Sequence, residues 1–218
     1  MIERATGIIL RTRLLTDTSL IVHWLSREFG RVATVAKGAR RPKSPFRGKL
    51  DVFYLAEFTF QRSRRSELHT LREVAVRETH PVLRQELACL QQAAYAAALL
   101  EQTTETDTPI PGMFELLCQL LAHLRSAPPQ PLTVFALELK LLAELGLTPD
   151  LQATRMSAGS RQILGMLTAL DWAGLRRLKL SQAQTLELDR FLRGFLEYHL
   201  ERVPGTRKTA VGSVPIRS

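Results

Sequence analysis

Between residues 4 and 78 the chain passes through five short stretches rich in β-branched and aromatic residues, with no helical pattern of any length between them. GIILRTRLL, SLIVHWLS and RVATVAKG are separated by turn-like DTS and REFG, and VFYLAEFTFQR follows. In that fourth stretch Val52, Tyr54, Ala56, Phe58 and Phe60 fall on one face and Glu57, Thr59 and Gln61 on the other, the two-residue period of a half-buried strand. ELHTLREVAVRET alternates less regularly and reads as a fifth, bulged strand, reached through the basic turn QRSRRS. Five such strands in so short a span suggest a small closed or partly open barrel, and an OB-like five-stranded barrel is the expectation for residues 1–80.

At HPVLRQEL the texture changes. Pro81 can occupy a first helical position, and Leu, Ala, Gln and Glu dominate beyond it. The patterns predict helices over about 81–104, 111–125, 132–145, 157–170 and 182–202 in a helical domain of residues 81–218. Gly146 suits the C-cap of the third, and Ser181 with Gln184 forms a capping-box pattern before the last. The tail VPGTRKTAVGSVPIRS reads as irregular. The fold class is therefore α+β, barrel first and helices second.

Charge is distributed unevenly along this order. Residues 1–80 carry 16 Lys or Arg against 8 Asp or Glu, residues 81–150 carry 3 against 8, and residues 151–218 carry 11 against 5. The formal charge of +9 favours a polyanionic partner. Two cysteines, both within apolar helical patterns, indicate neither a disulfide framework nor a thiolate metal site. No stretch has the length and apolarity of a signal or a membrane span, so a cytoplasmic protein is expected.

The sharpest concentration of charge is KGARRPKSPFRGK, residues 37–49, with six basic residues and no acid. Such a run is commonly no more than a solvated surface. Here the prolines restrict the loop, and a second basic turn holding Arg62, Arg64 and Arg65 lies between the next two strands. Like charges gathered this way repel one another unless an anion relieves them, and nucleic acid is the obvious anion. Lys37, Arg40, Arg41, Lys43, Arg47, Lys49, Arg62, Arg64 and Arg65 are the candidate phosphate contacts, and Phe46 is the candidate for stacking on a base. Trp24 and Phe53 read as core. GARRPKS only echoes a phosphate-binding loop, because Pro42 stands where the second glycine should be and a strand follows. The five histidines are scattered, no hydrolase or dinucleotide motif occurs, and no catalytic residue, metal ligand or cofactor is indicated.

The opening block GIILRTRLLTDTSLIVHWLSREFGRVATVAKGARRPKS with LDVFYLAEFTF, together with FALELKLLAELGLTPDL and FLRGFLEYHLER further on, resembles the bacterial recombination mediator family RecO. That resemblance implies an N-terminal OB fold and a helical domain. It also implies binding of single- and double-stranded DNA, annealing of complementary strands, and help in placing the RecA recombinase on DNA coated by single-stranded DNA-binding protein. RecR, DNA and the coating protein's acidic C-terminal tail are the implied partners. The family's DNA-contacting role passes to Lys37, Arg40, Arg41 and Lys43, while Arg47 and Lys49 are added on charge alone. Many relatives carry a four-cysteine zinc site after the segment matched by LTPDL, but LQATRMSAGSRQ offers no Cys or His, so no zinc is expected.

For the tail, an apolar notch beside a cation is needed, and Arg125 and Lys140 are the candidates by elimination. Annealing itself is expected to be electrostatic, with positive segments screening and tethering two strands. The alternative reading is an OB-fold RNA-binding or ribosome-associated factor. A concealed hydrolase and a protein adaptor are further alternatives.

Overall fold

The computed structural model describes residues 1–152 and 154–212. They form two compact units, one of Met1–Pro81 with Glu101–Glu115, the other of Val82–Leu100 with the chain from Leu116 onward. The expected single boundary at residue 80 is therefore modified, because Glu101–Glu115 belongs with the first unit.

The first unit is built on β1 (Ile2–Leu14), β2 (Leu20–Ser26), β3 (Gly30–Ala36), β4 (Leu55–Gln61) and β5 (Leu68–Glu78). They close into a barrel in the order β1-β2-β3-β5-β4, with β4 returning to β1. All neighbours are antiparallel except β3 and β5, which pair in parallel from Ala33 opposite Leu68 to Val35 opposite Thr70. This is the OB arrangement. Strand β1 is long enough to serve both neighbours, its first half pairing with β4 and its second half with β2.

Alternation sends Ala56, Phe58 and Phe60 inward, where they meet Trp24, Val22, Val32 and Leu71. Trp24 stacks on Phe58 with ring centroids 4.0 Å apart, and its indole N–H donates to Thr34 Oγ1 at 2.9 Å. The buried tryptophan thus keeps its apolar contacts and its hydrogen bond together. Gly7 lies over this stack, since a Cβ there would stand 2.9 Å from the Phe58 ring. β4 starts three residues later than the alternation suggests. Phe53, at φ 65°, breaks the regular ladder before Leu55, although its N–H still donates to Ile9 O at 2.7 Å, and its ring is buried. In β5 the pairing skips at Arg72 and Arg77, so the irregular alternation of that strand reflects two bulges.

The segment Glu101–Glu115 is fastened to the barrel by backbone. Asp107 N–H donates to Arg31 O at 2.9 Å, Thr106 bridges Arg31, and Arg27 meets Glu115 at 2.5 Å. Gly30, at φ 66°, is needed for this approach, because a Cβ there would lie 2.1 Å from Thr108 O.

The helices are α1 (Val82–Gln85), α2 (Leu87–Thr103), α3 (Pro111–Ser126), α4 (Pro131–Glu144), α5 (Ala158–Ala169), α6 (Trp172–Leu175), α7 (Gln182–Leu200) and α8 (Arg207–Val211). The stretch expected as one helix over 81–104 is interrupted at Glu86. α4 is apolar on nearly every side, and Leu132 through Leu139 are all buried, as a central helix requires. It ends where Gly146 takes φ 73° and Leu147 N–H reaches back to Leu142 O. The capping box of Ser181 and Gln184 opens α7, and α5, α7 and α8 pack on α4.

Two short helices were not apparent from the pattern. Asp171 caps α6 by accepting from Gly174 N–H at 2.7 Å. The tail expected to be irregular contains α8, because Arg207 extends into the second unit and pairs there with Glu138. Residues 213–218 of that tail lie outside the described residues. Among the described residues no helix is long and apolar enough to cross a membrane.

Candidate nucleic-acid interface

The loop from Lys37 to Lys49 has a defined backbone. Arg41 N–H donates to Gly38 O, Ser44 to Arg41 O, Arg47 to Ser44 O and Lys49 to Phe46 O, a succession of turns at 3.0 to 3.2 Å. Gly38 supplies the φ of 68° that the first turn needs. The loop is also tied to the β1–β2 turn. Arg40 N–H donates to Thr18 O, the Arg40 guanidinium to Asp17 O at 3.0 Å, and Gly38 N–H to Ser19 Oγ.

Phe46 holds the loop from beneath. It is 7% exposed and belongs to the barrel's core cluster, with Ala39 and Leu50 packed on the same cluster. Its ring thus anchors the loop on the core, and it also borders the clefts on the loop's two flanks. Trp24 and Phe53 are buried as well.

With its hydrophobic residue turned inward, the loop turns its charge outward. Lys37, Arg40, Arg41, Lys43 and Arg47 are exposed and Lys49 is half-buried. None of the six has a carboxylate within ion-pairing distance among the described residues, whereas Arg4 and Arg77 share Glu57. Those two guanidiniums hold the Glu57 carboxyl below the usual carboxylate range, Arg4 by the stronger hydrogen bond. Arg40, Arg41 and Arg47 line one cleft of about 540 Å³ together with Tyr54 and Leu20. Lys49 lines a second cleft bordered by Phe46, where Arg4 and Arg72 are accompanied by Glu57 and Glu73.

The second basic turn does not join this cluster. Arg62 N–H donates to Met1 O at the start of β1, while the basic loop is stitched to the turn that follows the end of β1. The two basic segments therefore sit at opposite ends of β1. Arg62 differs from the loop cations in having internal partners, 3.0 Å from Asp107 and 5.2 Å from the centre of the Phe29 ring. Its own neighbourhood supplies the counter-ion. Arg64 and Arg65 remain exposed in the turn.

In the helical unit, Arg125 is exposed in the last turn of α3. Lys140 is half-buried and donates from Nζ to Leu170 O at 2.6 Å, and burial lowers its pKa. That bond fastens α4 to the chain before α6 and uses one of the ammonium's three donors. The stretch from Leu151 to Gln162 holds no Cys or His, and among the described residues no group of three or more His, Cys, Asp or Glu is placed to hold a metal. The residues there do not fit zinc.

Comparison with known proteins agrees with the order of barrel and helices. Residues 1–80 match the family model "Recombination protein O N terminal" and residues 84–154 match "Recombination protein O C terminal". The DNA repair protein RecO of Bacillus pumilus (strain SAFR-032) is 34% identical over 151 residues, 69% of this chain and 58% of that protein. For the RecO of Bacillus subtilis (strain 168) the identity is 31% over 151 residues, with the same shares. For that of Listeria monocytogenes serotype 4b (strain CLIP80459) it is 33% over 150 residues, 68% of this chain and 58% of the relative. The chain thus matches less than two thirds of these relatives' length. With both family models falling in sequence on a five-stranded barrel and the helices after it, the chain belongs to the RecO family.

Proposed function

We propose that this chain is a DNA-binding recombination mediator acting in DNA repair. It binds single- and double-stranded DNA, anneals complementary strands, and assists a RecA-type recombinase onto DNA coated by single-stranded DNA-binding protein. The observation that carries the reading is the loop itself: six cations without carboxylate partners among the described residues, on a backbone fixed by successive turns and anchored by Phe46. A loop backbone already held by turns needs no ordering on meeting a phosphate chain, and each contact releases a counter-ion. Two strands held on one protein meet at raised effective concentration, so annealing follows without any bond being made or broken.

RecR and the coating protein's acidic tail are the proposed protein partners, with Arg125 as the cation offered to the tail. Strand annealing measured with and without the coating protein, over a range of salt concentrations, tests the reading. Annealing that is absent at every salt concentration would count against it. The competing reading, an RNA-binding factor, is separated by competition between single-stranded DNA and structured RNA, which that reading requires RNA to win.

A further inference from the structure

The outer face of β1, β2 and β3 carries a cleft of about 550 Å³, distinct from the two beside the basic loop. Pairing sets Arg11 opposite His23, His23 opposite Ala33 and Ala33 opposite Leu68, so these four form one row across the strands. The small Ala33 leaves a dip in that row. Arg13 and Arg31, each two residues along their strands from the row, project from the same face. Ser66 to Leu68 form one rim, and Glu101 with Thr106 forms another.

The cations in this cleft are incompletely satisfied. Arg11 Nε lies 2.7 Å from Glu101 Oε1, yet neither atom has an aligned hydrogen bond. Arg31 donates from Nη2 to Thr104 O at 2.6 Å, while its enclosed Nε has no acceptor. Enclosed donors without acceptors are uncommon and point to something that is to be received. The backbone of the 104–108 segment is fixed to Arg31 and Gly30, so the replaceable part of the rim is the Glu101 side chain.

Position adds the direction of the ligand. Arg13 stands beside the turn to which the basic loop is stitched, and Ser66 to Leu68 continue from the turn bearing Arg64 and Arg65. An extended polyanion running between the two exposed basic segments crosses this cleft. Three guanidiniums face Glu67 and Glu101 there, one positive charge in excess, which matches a single phosphodiester. A cleft of this size admits one nucleotide-sized group at a time.

We propose that this cleft is a gated subsite for single-stranded nucleic acid, in which Glu101 occupies Arg11 in place of a backbone phosphate until an incoming strand displaces it. The inference rests on the reading of the barrel as a DNA-binding module and adds to it a built-in competitor. His23 faces Arg11 and Arg13 on β1, Arg31 on β3, Glu67 from the turn and Glu101 from the rim. Burial first, then Arg11, Arg13 and Arg31, lower its pKa to about 4. Burial remains when a strand binds, and the strand's phosphate takes the place of the Glu101 charge, so the ring stays neutral.

The experiment is fluorescence anisotropy of the full chain with a labelled oligothymidylate at 50 mM salt. Glu101→Gln, which keeps the shape of the side chain, is expected to tighten binding about three- to tenfold, and the exposed Arg13→Gln to weaken it about as much. Unchanged or weaker binding by Glu101→Gln would overturn the gate, as would equal competition by polyglutamate of matched charge. If Arg40→Glu with Arg41→Glu abolishes binding while Glu101→Gln and Arg13→Gln change nothing, the gated subsite fails and the broader reading stands. No binding by the unaltered chain ends both.

Discussion

Arg207 and Glu138, 69 residues apart in sequence, meet through two hydrogen bonds, Nε to Oε1 at 2.7 Å and Nη2 to Oε2 at 3.1 Å, and the carboxylate has no exposed surface. The Tyr95 hydroxyl donates to the same Oε1 at 2.6 Å, and Asp189 takes the remaining side of the guanidinium at 2.5 Å. Burial pushes the Tyr95 phenol up, so it stays a donor. A buried charge arrangement of this kind is costly to break from one side, because the partner left behind is neither solvated nor neutralised.

Arg207→Ala is therefore expected to destabilise the helical unit by about 3–5 kcal/mol, seen as a lower urea midpoint. Replacing Glu138 and Arg207 together by Leu and Met should recover much of that loss, since no charge is then stranded. A double variant as unstable as the single one would show that packing of α8, and not its ion pair, fastens it.

Charge reversal at Arg40, Arg41 and Lys43 should abolish DNA binding and leave the melting temperature nearly unchanged, because all three side chains are exposed and none has a carboxylate partner among the described residues. In the unaltered chain, contact with roughly five phosphates of a single strand predicts about 100-fold weaker binding between 50 and 200 mM salt. Anisotropy titrations at both salt concentrations, with thermal melts of each variant, decide this.

Phe46→Ala separates anchoring from stacking. As a core residue, Phe46 should cost about 3–5 kcal/mol when truncated, with the barrel's unfolding midpoint shifted accordingly. A variant of wild-type stability that loses only DNA affinity would favour the stacking role.

The barrel should also weaken on acidification. His23 has a folded pKa of about 4 against 6.5 for an ordinary histidine, so the unfolded chain binds the proton more readily. Stability is complete above pH 6.5 and falls as pH drops toward 4, at up to about 1.4 kcal/mol per unit and less because the ring is part solvated. His23→Gln should flatten the fall in urea midpoints measured across that window.

The barrel was legible because its signals are local: alternation in β4, turn residues between β1, β2 and β3, and a change of texture at Pro81. The site was legible only in part. Phe46 sits among cations and prolines in sequence, and nothing adjacent to it reveals that its ring completes the core. Arg62 has the same basic neighbours as Arg64 and Arg65, but Asp107, 45 residues away, decides its partner. Arg11, Arg13 and Arg31 are isolated on separate strands and become a group only through register. Arg207 lies in a tail of Gly, Thr and Val without periodicity, and α8 exists because of Glu138 rather than because of its own sequence.

The parallel pairing of β3 with β5 brings the two exposed basic segments near each other across the barrel wall: Leu68, just after the turn bearing Arg64 and Arg65, lies opposite Ala33, and β3 runs only as far as Ala36 before the basic loop begins. Along the strand that is roughly 10 Å. A few nucleotides therefore suffice to reach from one segment to the other, so affinity should climb steeply over the first few nucleotides of an oligonucleotide series and level off after that.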